Sequence, residues 1–264
     1  MPAPTRTLDL EQRLSKRVRS TPQSGIRRFF EIAANMDDVI SLGIGEPDFV
    51  SPEPVIDAGV RALREGKTSY TSNAGMQELR ELISDEYDER YDVSYDPDTE
   101  VLVTVGCSEA MQLAMQALLD PGDEVLIPEP CFVSYAPSAR FAGGEVVHVP
   151  TSVENDFQVT ASDIEPYISE RSKVLFMGYP NNPTGAVLRR ETLEEIAELV
   201  IEHDLMVVSD EIYDQLIYGT AYERGHVCVP SIEGLRERTV LLGGFSKNQA
   251  MTGWRIGYTC APAP

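Results

Sequence analysis

The chain has 264 residues and a formal net charge of −21, from 43 acidic against 22 basic side chains. That length buries a substantial core, and so acidic a surface repels phosphodiesters and anionic lipid, which argues against nucleic-acid and membrane-surface binding. No stretch approaches the ~20 apolar residues that span a bilayer, residues 1–20 lack the apolar core of a signal peptide, and the three histidines and four cysteines show no metal-ligand spacing.

A reduced, soluble, cytoplasmic chain without a metal is the expectation. The acidic residues are dispersed rather than gathered in a tail, as on a solvated folded surface. With only four lysines against eighteen arginines, the composition also resembles that of proteins from high-salt cytoplasms.

In chain order, a charged helix is expected near residues 8–18, then a glycine- and proline-rich segment over 42–54. From residue 101 short β-rich runs alternate with helical ones. Strands are predicted at 101–105, 124–127, 145–149, 173–177 and 205–209, and helices at 108–119, 134–141, 163–169 and 191–203. The apolar strands look buried on both faces, with the helices as crossovers, which makes a mainly parallel α/β sheet. A further strand runs over 239–245. Only about nine residues separate it from the last one, 255–260, too few for a parallel crossover, so that strand is expected to run antiparallel.

Open α/β sheets bind ligands beyond the carboxyl ends of their strands, and the polar residues of interest fall there: Gly106–Ser108, Asn181–Asn182, Asp210–Tyr213 and Ser246–Lys247. Gly106, Cys107 and Ser108 join a strand to a helix whose first N–H groups can cradle an anion, although a serine there also serves as an ordinary N-cap. Arg255 offers a fork for phosphate or a plain surface ion pair. In Tyr179-Pro-Asn-Asn182-Pro183-Thr184-Gly185, turn chemistry competes with an amide that donates to a ligand. Asp210 either caps a turn or holds a proton on a ring nitrogen. Lys247 closes an apolar run; it snorkels to solvent or, desolvated, becomes a nucleophile suited to Schiff-base chemistry.

Tyr-Pro-Asn-Asn-Pro-Thr-Gly, Ser-Asp-Glu-Ile-Tyr and Gly-Phe-Ser-Lys-(x)7-Arg-Ile-Gly-Tyr together resemble the class I/II aminotransferases, pyridoxal-phosphate enzymes of fold type I. Leu42-Gly-Ile-Gly45-Glu46-Pro47-Asp48-Phe49 and Tyr70-Thr-Ser-Asn-Ala-Gly75 are similar to that family's early segments, and the likeness extends from about Ser24 to the last residue. Asn182, Asp210, Lys247 and Arg255 follow one another in the family's order.

The resemblance implies a three-layer large domain over 51–264, and an N-terminal arm with part of a small domain over 1–50. It implies pyridoxal 5′-phosphate on Lys247 through a Schiff base, with Asp210 on the ring nitrogen and Asn182 and Tyr213 on the phenolic oxygen. Phe132 would stack on the ring, unless it only packs the core. Gly106, Cys107, Ser108, Ser246 and Arg255 would hold the phosphate. Tyr70 would reach the neighbouring subunit's site, implying a homodimer, and Gly45 and Asn182 would face the substrate. The implied reaction is ping-pong transamination between an amino acid and a 2-oxo acid.

Two departures accompany the resemblance. Gly244 stands where many relatives have serine. The chain also ends just after the last predicted strand, where relatives continue into most of the small domain and supply the arginine that grips the substrate carboxylate. Either the chain is a fragment of a longer enzyme, with apolar surface exposed where the remainder packs, or it does not fix its substrate in the usual way. A β-lyase-like enzyme, a cofactor-binding fragment without catalysis and a non-catalytic ligand-binding domain are the other readings of the same residues.

Overall fold

The computed structural model describes residues 9–22, 32, 36 and 45–263. The chain divides into two units, Met1–Gly45 and Glu46–Pro264. Of the positions singled out above, residues 8, 24 and 42–44 lie outside the described ones.

In the first unit the helix expected near 8–18 is later and shorter. The Ser15 side chain accepts a hydrogen bond from the Val18 N–H at 3.3 Å, so it caps α1 (Lys16–Ser20), and Glu11–Arg13 forms a separate 3-10 turn.

The second unit opens with α2 (Glu53–Arg64) and α3 (Gln77–Tyr91), neither of which was anticipated. On α3, Leu79, Ile83 and Tyr87 recur every fourth position and so line one face. Ile83 and Tyr87 are buried there with Val101, Leu241 and Cys260, which seals one end of the sheet.

Seven strands follow: β1 (Val101–Thr104), β2 (Glu124–Glu129), β3 (Glu145–Pro150), β4 (Ser172–Gly178), β5 (Met206–Asp210), β6 (Thr239–Gly244) and β7 (Gly257–Cys260). Their order across the sheet is β1-β7-β6-β5-β4-β2-β3. From β6 to β3 every pairing is parallel, and β7 runs antiparallel to both its neighbours, β6 and β1. The α/β architecture with one antiparallel strand is therefore the observed one. The last strand begins at Gly257 rather than 255, because Arg255 takes a left-handed conformation (φ 58°) that cannot continue an extended run.

Alternation along the strands sends side chains to two faces. Leu126, Leu175, Met177 and Val207 pack under α7 (Arg190–Glu202), whose Leu193, Ile196, Ala197 and Val200 complete that layer. Val125, Ile127, Phe176, Val208 and Leu242 face the other way, onto α4 (Cys107–Leu118) and α5 (Tyr135–Ala142). Helices thus cover both faces, giving three layers.

The helix expected over 163–169 is instead α6 (Ala161–Ile164) followed by a 3-10 turn, Glu165–Tyr167. A Thr160–Asp163 capping box starts α6, and Pro166, which has no N–H to donate, ends its regular ladder.

Candidate active site

The carboxyl ends of β1, β4, β5 and β6 lie on one edge of the sheet, and the chain enters β7 beside them. At the end of β1 the N-cap of α4 is Gly106, with φ 74°, so the helix starts at Cys107, one residue earlier than expected. A side chain on Gly106 would collide with the Arg255 guanidinium, which therefore lies directly over the backbone at the helix N-terminus. Arg255 also donates to the Thr252 carbonyl at 3.0 Å. Ser108 is exposed in the first turn. Outward N–H groups, the positive end of a helix and a guanidinium in one place suit a phosphate.

Asp210 closes β5 and is buried. Its Oδ2 accepts from the Tyr135 hydroxyl at 2.9 Å, and its Oδ1 is approached by the Cys107 thiol at 3.6 Å and the Ile212 N–H at 3.3 Å. Tyr135 reaches it by crossing Gly178, the residue paired with Asp210 on β4, where any side chain would collide with the phenol. Each of these three donors is neutral. Burial accordingly lifts the Asp210 carboxyl above its ordinary value, against the pull of Tyr135, Ile212 and Cys107.

Lys247 follows β6 on a turn in which the Ala250 N–H bonds back to its carbonyl at 3.1 Å. Its Nζ lies 5.6 Å from the centre of the Tyr213 ring. Burial, reinforced by the positive charge of Arg255, lowers the amine below the ordinary lysine value, and Glu46 and Asp210 oppose the shift. Asp210 and Lys247 are thus close enough to sense each other's charge. Burial raises the Tyr213 phenol above its ordinary value, and the nearby Asn182 side chain opposes that rise.

The neighbouring Asn181 builds the loop instead: it donates to the Gly178 carbonyl at 3.1 Å and accepts from the Thr184 hydroxyl at 2.9 Å. Ser246 is buried beside Lys247. Phe132 is partly buried and packs edge-on against Tyr135, ring centres 5.7 Å apart. Tyr70 is fully exposed between α2 and α3. Gly45 belongs to the first unit.

These features fit pyridoxal phosphate. A buried carboxylate with only neutral donors is complemented by a protonated ring nitrogen, an amine of lowered pKa attacks an aldehyde, and the α4 N-terminus with Arg255 matches a phosphate.

The family model for aminotransferase class I and II matches residues 37–264. The chain belongs to the class I and II aminotransferases. Members of this family use pyridoxal 5′-phosphate. A putative aminotransferase of Bacillus subtilis, YugH, is 48% identical over 95% of this chain and 64% of its own length. An aspartate aminotransferase of Pyrococcus abyssi is 45% identical with the same two coverages. The solved aspartate aminotransferase of Thermus thermophilus with maleate has a TM-score of 0.87 and 42% identity, over 94% of this chain and 64% of that one. The chain spans somewhat less than two thirds of the length of these aminotransferases.

The sequence had suggested the edge and most of its residues. It did not suggest Tyr135 as the partner of Asp210, nor the thiol of Cys107, chosen above for its backbone, as a second one. Both contacts join residues remote in the chain, and no local pattern signals them.

Proposed function

We propose that the chain carries the cofactor domain of an enzyme that moves an amino group between an amino acid and a 2-oxo acid. The observation that supports this most directly is the meeting of Asp210 and Lys247 on one sheet edge, the carboxyl raised and the amine lowered by burial.

When bound, pyridoxal phosphate supplies an aldehyde and an electron-withdrawing ring. Lys247 would hold the aldehyde carbon, and its amine, placed at the reacting centre, would move the proton from the Cα of the amino acid. Asp210 keeps a proton on the ring nitrogen, and Tyr213 with Asn182 orients the phenolic oxygen. The backbone of Gly106, Cys107 and Ser108, together with Ser246 and Arg255, holds the phosphate, and Phe132 lies against the ring. Donor and acceptor use the site in turn, which gives ping-pong kinetics. Residues 51–264 form the cofactor domain and 1–50 the arm with part of the small domain.

Aspartate and aromatic amino acids are the proposed substrates, since relatives of Pyrococcus abyssi and Thermococcus litoralis are named for them; Gly45 and Asn182 face that substrate. A homodimer brings the exposed Tyr70 to the partner's phosphate. A reducing, cytoplasmic setting is the reading of the four free cysteines. A salt-adapted one is the reading of the charge of −21 and the scarcity of lysine; unfolding at low ionic strength supports it, and indifference to salt counts against it.

The test adds pyridoxal phosphate to the chain and follows the visible band on adding an amino acid, then amino transfer to a 2-oxo acid. Bleaching followed by transfer, both lost in Lys247→Ala, is the expected result. Full transfer by Lys247→Ala, colour that no amino acid bleaches, or elimination products that need no oxo acid would each overturn it.

A further inference from the structure

We infer that Asp214 is a positioning residue for Lys247, acting through Asn248; the inference rests on the reading of Lys247 given above. Asp214 is buried, and its carboxylate is shared by two donors from distant parts of the chain. The Tyr91 hydroxyl, at the end of α3, donates to Oδ2 at 2.6 Å, and the Asn248 Nδ2 donates to Oδ1. Asp214 follows Tyr213 in sequence and Asn248 follows Lys247. Two consecutive pairs therefore face each other, with the Lys247 Nζ over the Tyr213 ring and the Asn248 amide on the Asp214 carboxylate.

Lys247 needs such a clasp. It lies between the end of β6 at Gly244 and the 3-10 turn Thr252–Trp254, on a bend whose Ala250 sits at φ 51°. No ladder fixes the direction in which its side chain leaves the backbone, and a flexible four-carbon stem loses reach if that backbone shifts. The buried Asn248 Oδ1 has no hydrogen-bond partner among the described residues, so the bond to Asp214 alone sets the orientation of the amide. Turning the amide over would place its oxygen against the carboxylate. One aspartate thus couples the Tyr213 segment, the Lys247 turn and α3.

Among the described residues, Glu46, Arg255 and Asp210 act on the charge of the Lys247 amine. Asp214 is expected to govern where the amine sits, and only weakly its basicity.

The four lysines make the test clean. The chain is incubated with graded pyridoxal phosphate, reduced with borohydride, and labelled peptides are quantified at Lys247 and at the exposed Lys67. In Asn248→Ala the half-saturating concentration at Lys247 should rise about tenfold, the scale of one lost hydrogen bond to a charged group. Asp214→Asn should behave similarly, and Lys67 labelling should not change. Tyr91→Phe, which removes the other donor, should lower the melting temperature while leaving the Lys247 value within twofold (roughly the scatter expected for an unperturbed site). Parent-like labelling in Asn248→Ala, or an equal loss in Tyr91→Phe, would overturn the positioning role. Absence of any Lys247 label in the parent chain removes the proposed function, and this inference with it.

Discussion

Asp210 and Glu211 are adjacent carboxylates in opposite surroundings, one on each face of the end of β5. Asp210 meets a phenol, a thiol and a backbone N–H, all neutral. Glu211 is fully provided for: His226 Nε2 is 2.6 Å from Oε2, and the Ser209 hydroxyl and Val229 N–H each donate to Oε1 at 2.9 Å. A carboxylate whose surroundings complete it is a structural element. One left short of positive charge in a buried place is poised for a cationic ligand.

Breaking the completed side should cost the most. Glu211→Ala leaves His226, Ser209 and the Val229 N–H unpaired in the interior, and a broken buried pair costs about 3–5 kcal/mol. Chemical denaturation should show that loss whether or not cofactor is present. A variant as stable as the parent would mean that the pair is incidental.

Asp210→Asn should do the reverse. Removing an under-compensated charge should leave the cofactor-free chain as stable as before, or more so. What disappears is the stabilisation gained on adding pyridoxal phosphate, ~2.7 kcal/mol at a hundredfold excess over the dissociation constant. Thermal melts with and without cofactor compare the two, and an undiminished shift in Asp210→Asn would contradict the role assigned to that carboxylate. Tyr135→Phe sharpens the contrast further. It withdraws one donor from Asp210, which should raise that carboxyl further still and weaken the cofactor-induced shift by ~1–2 kcal/mol; an unchanged shift would show that the phenol only packs.

The contrast also separates what the sequence discloses from what it hides. Apolar runs such as β4 and amphipathic α7 carry their periodicity on their face, so the layered sheet and the edge where its strands end could be read directly. Asp210 and Lys247 were legible because each stands where an apolar strand runs out. The completion of Glu211 was not legible. Its partners His226 and Val229 lie in a stretch without regular periodicity, and only the folded chain brings them beneath β5. Helix α3 was missed for a related reason: its fourfold apolar repeat is diluted by eight charged residues in Gln77–Tyr91.

The smallest expected effect is the share of the pH dependence that the completed side contributes. Burial alone would lower the His226 pKa, but the charge and hydrogen bond of Glu211, with Asp214 adding to them, carry it above the ordinary value. The folded chain therefore keeps that proton to a higher pH than the unfolded chain does. Its contribution to stability is fully present below about pH 6.5, the unfolded value, and fades as pH rises through the folded one. Asp210 acts in the same direction in its own range. Its carboxyl is raised in the fold, so the penalty of ionising it is present at neutral pH and is relieved as pH falls through its folded value. A surface of net charge −21 adds a general preference for mild acid, so the parent slope by itself decides nothing. The informative quantity is the difference between the parent and His226→Gln, measured as melting temperature from pH 6 to 9. That variant should lose only the part of the decline above about 6.5, while Asp210→Asn keeps it. Parallel curves for His226→Gln and the parent would show that His226 is uncharged in the fold and that Glu211 is held by neutral donors alone, which would erase the distinction between the two carboxylates.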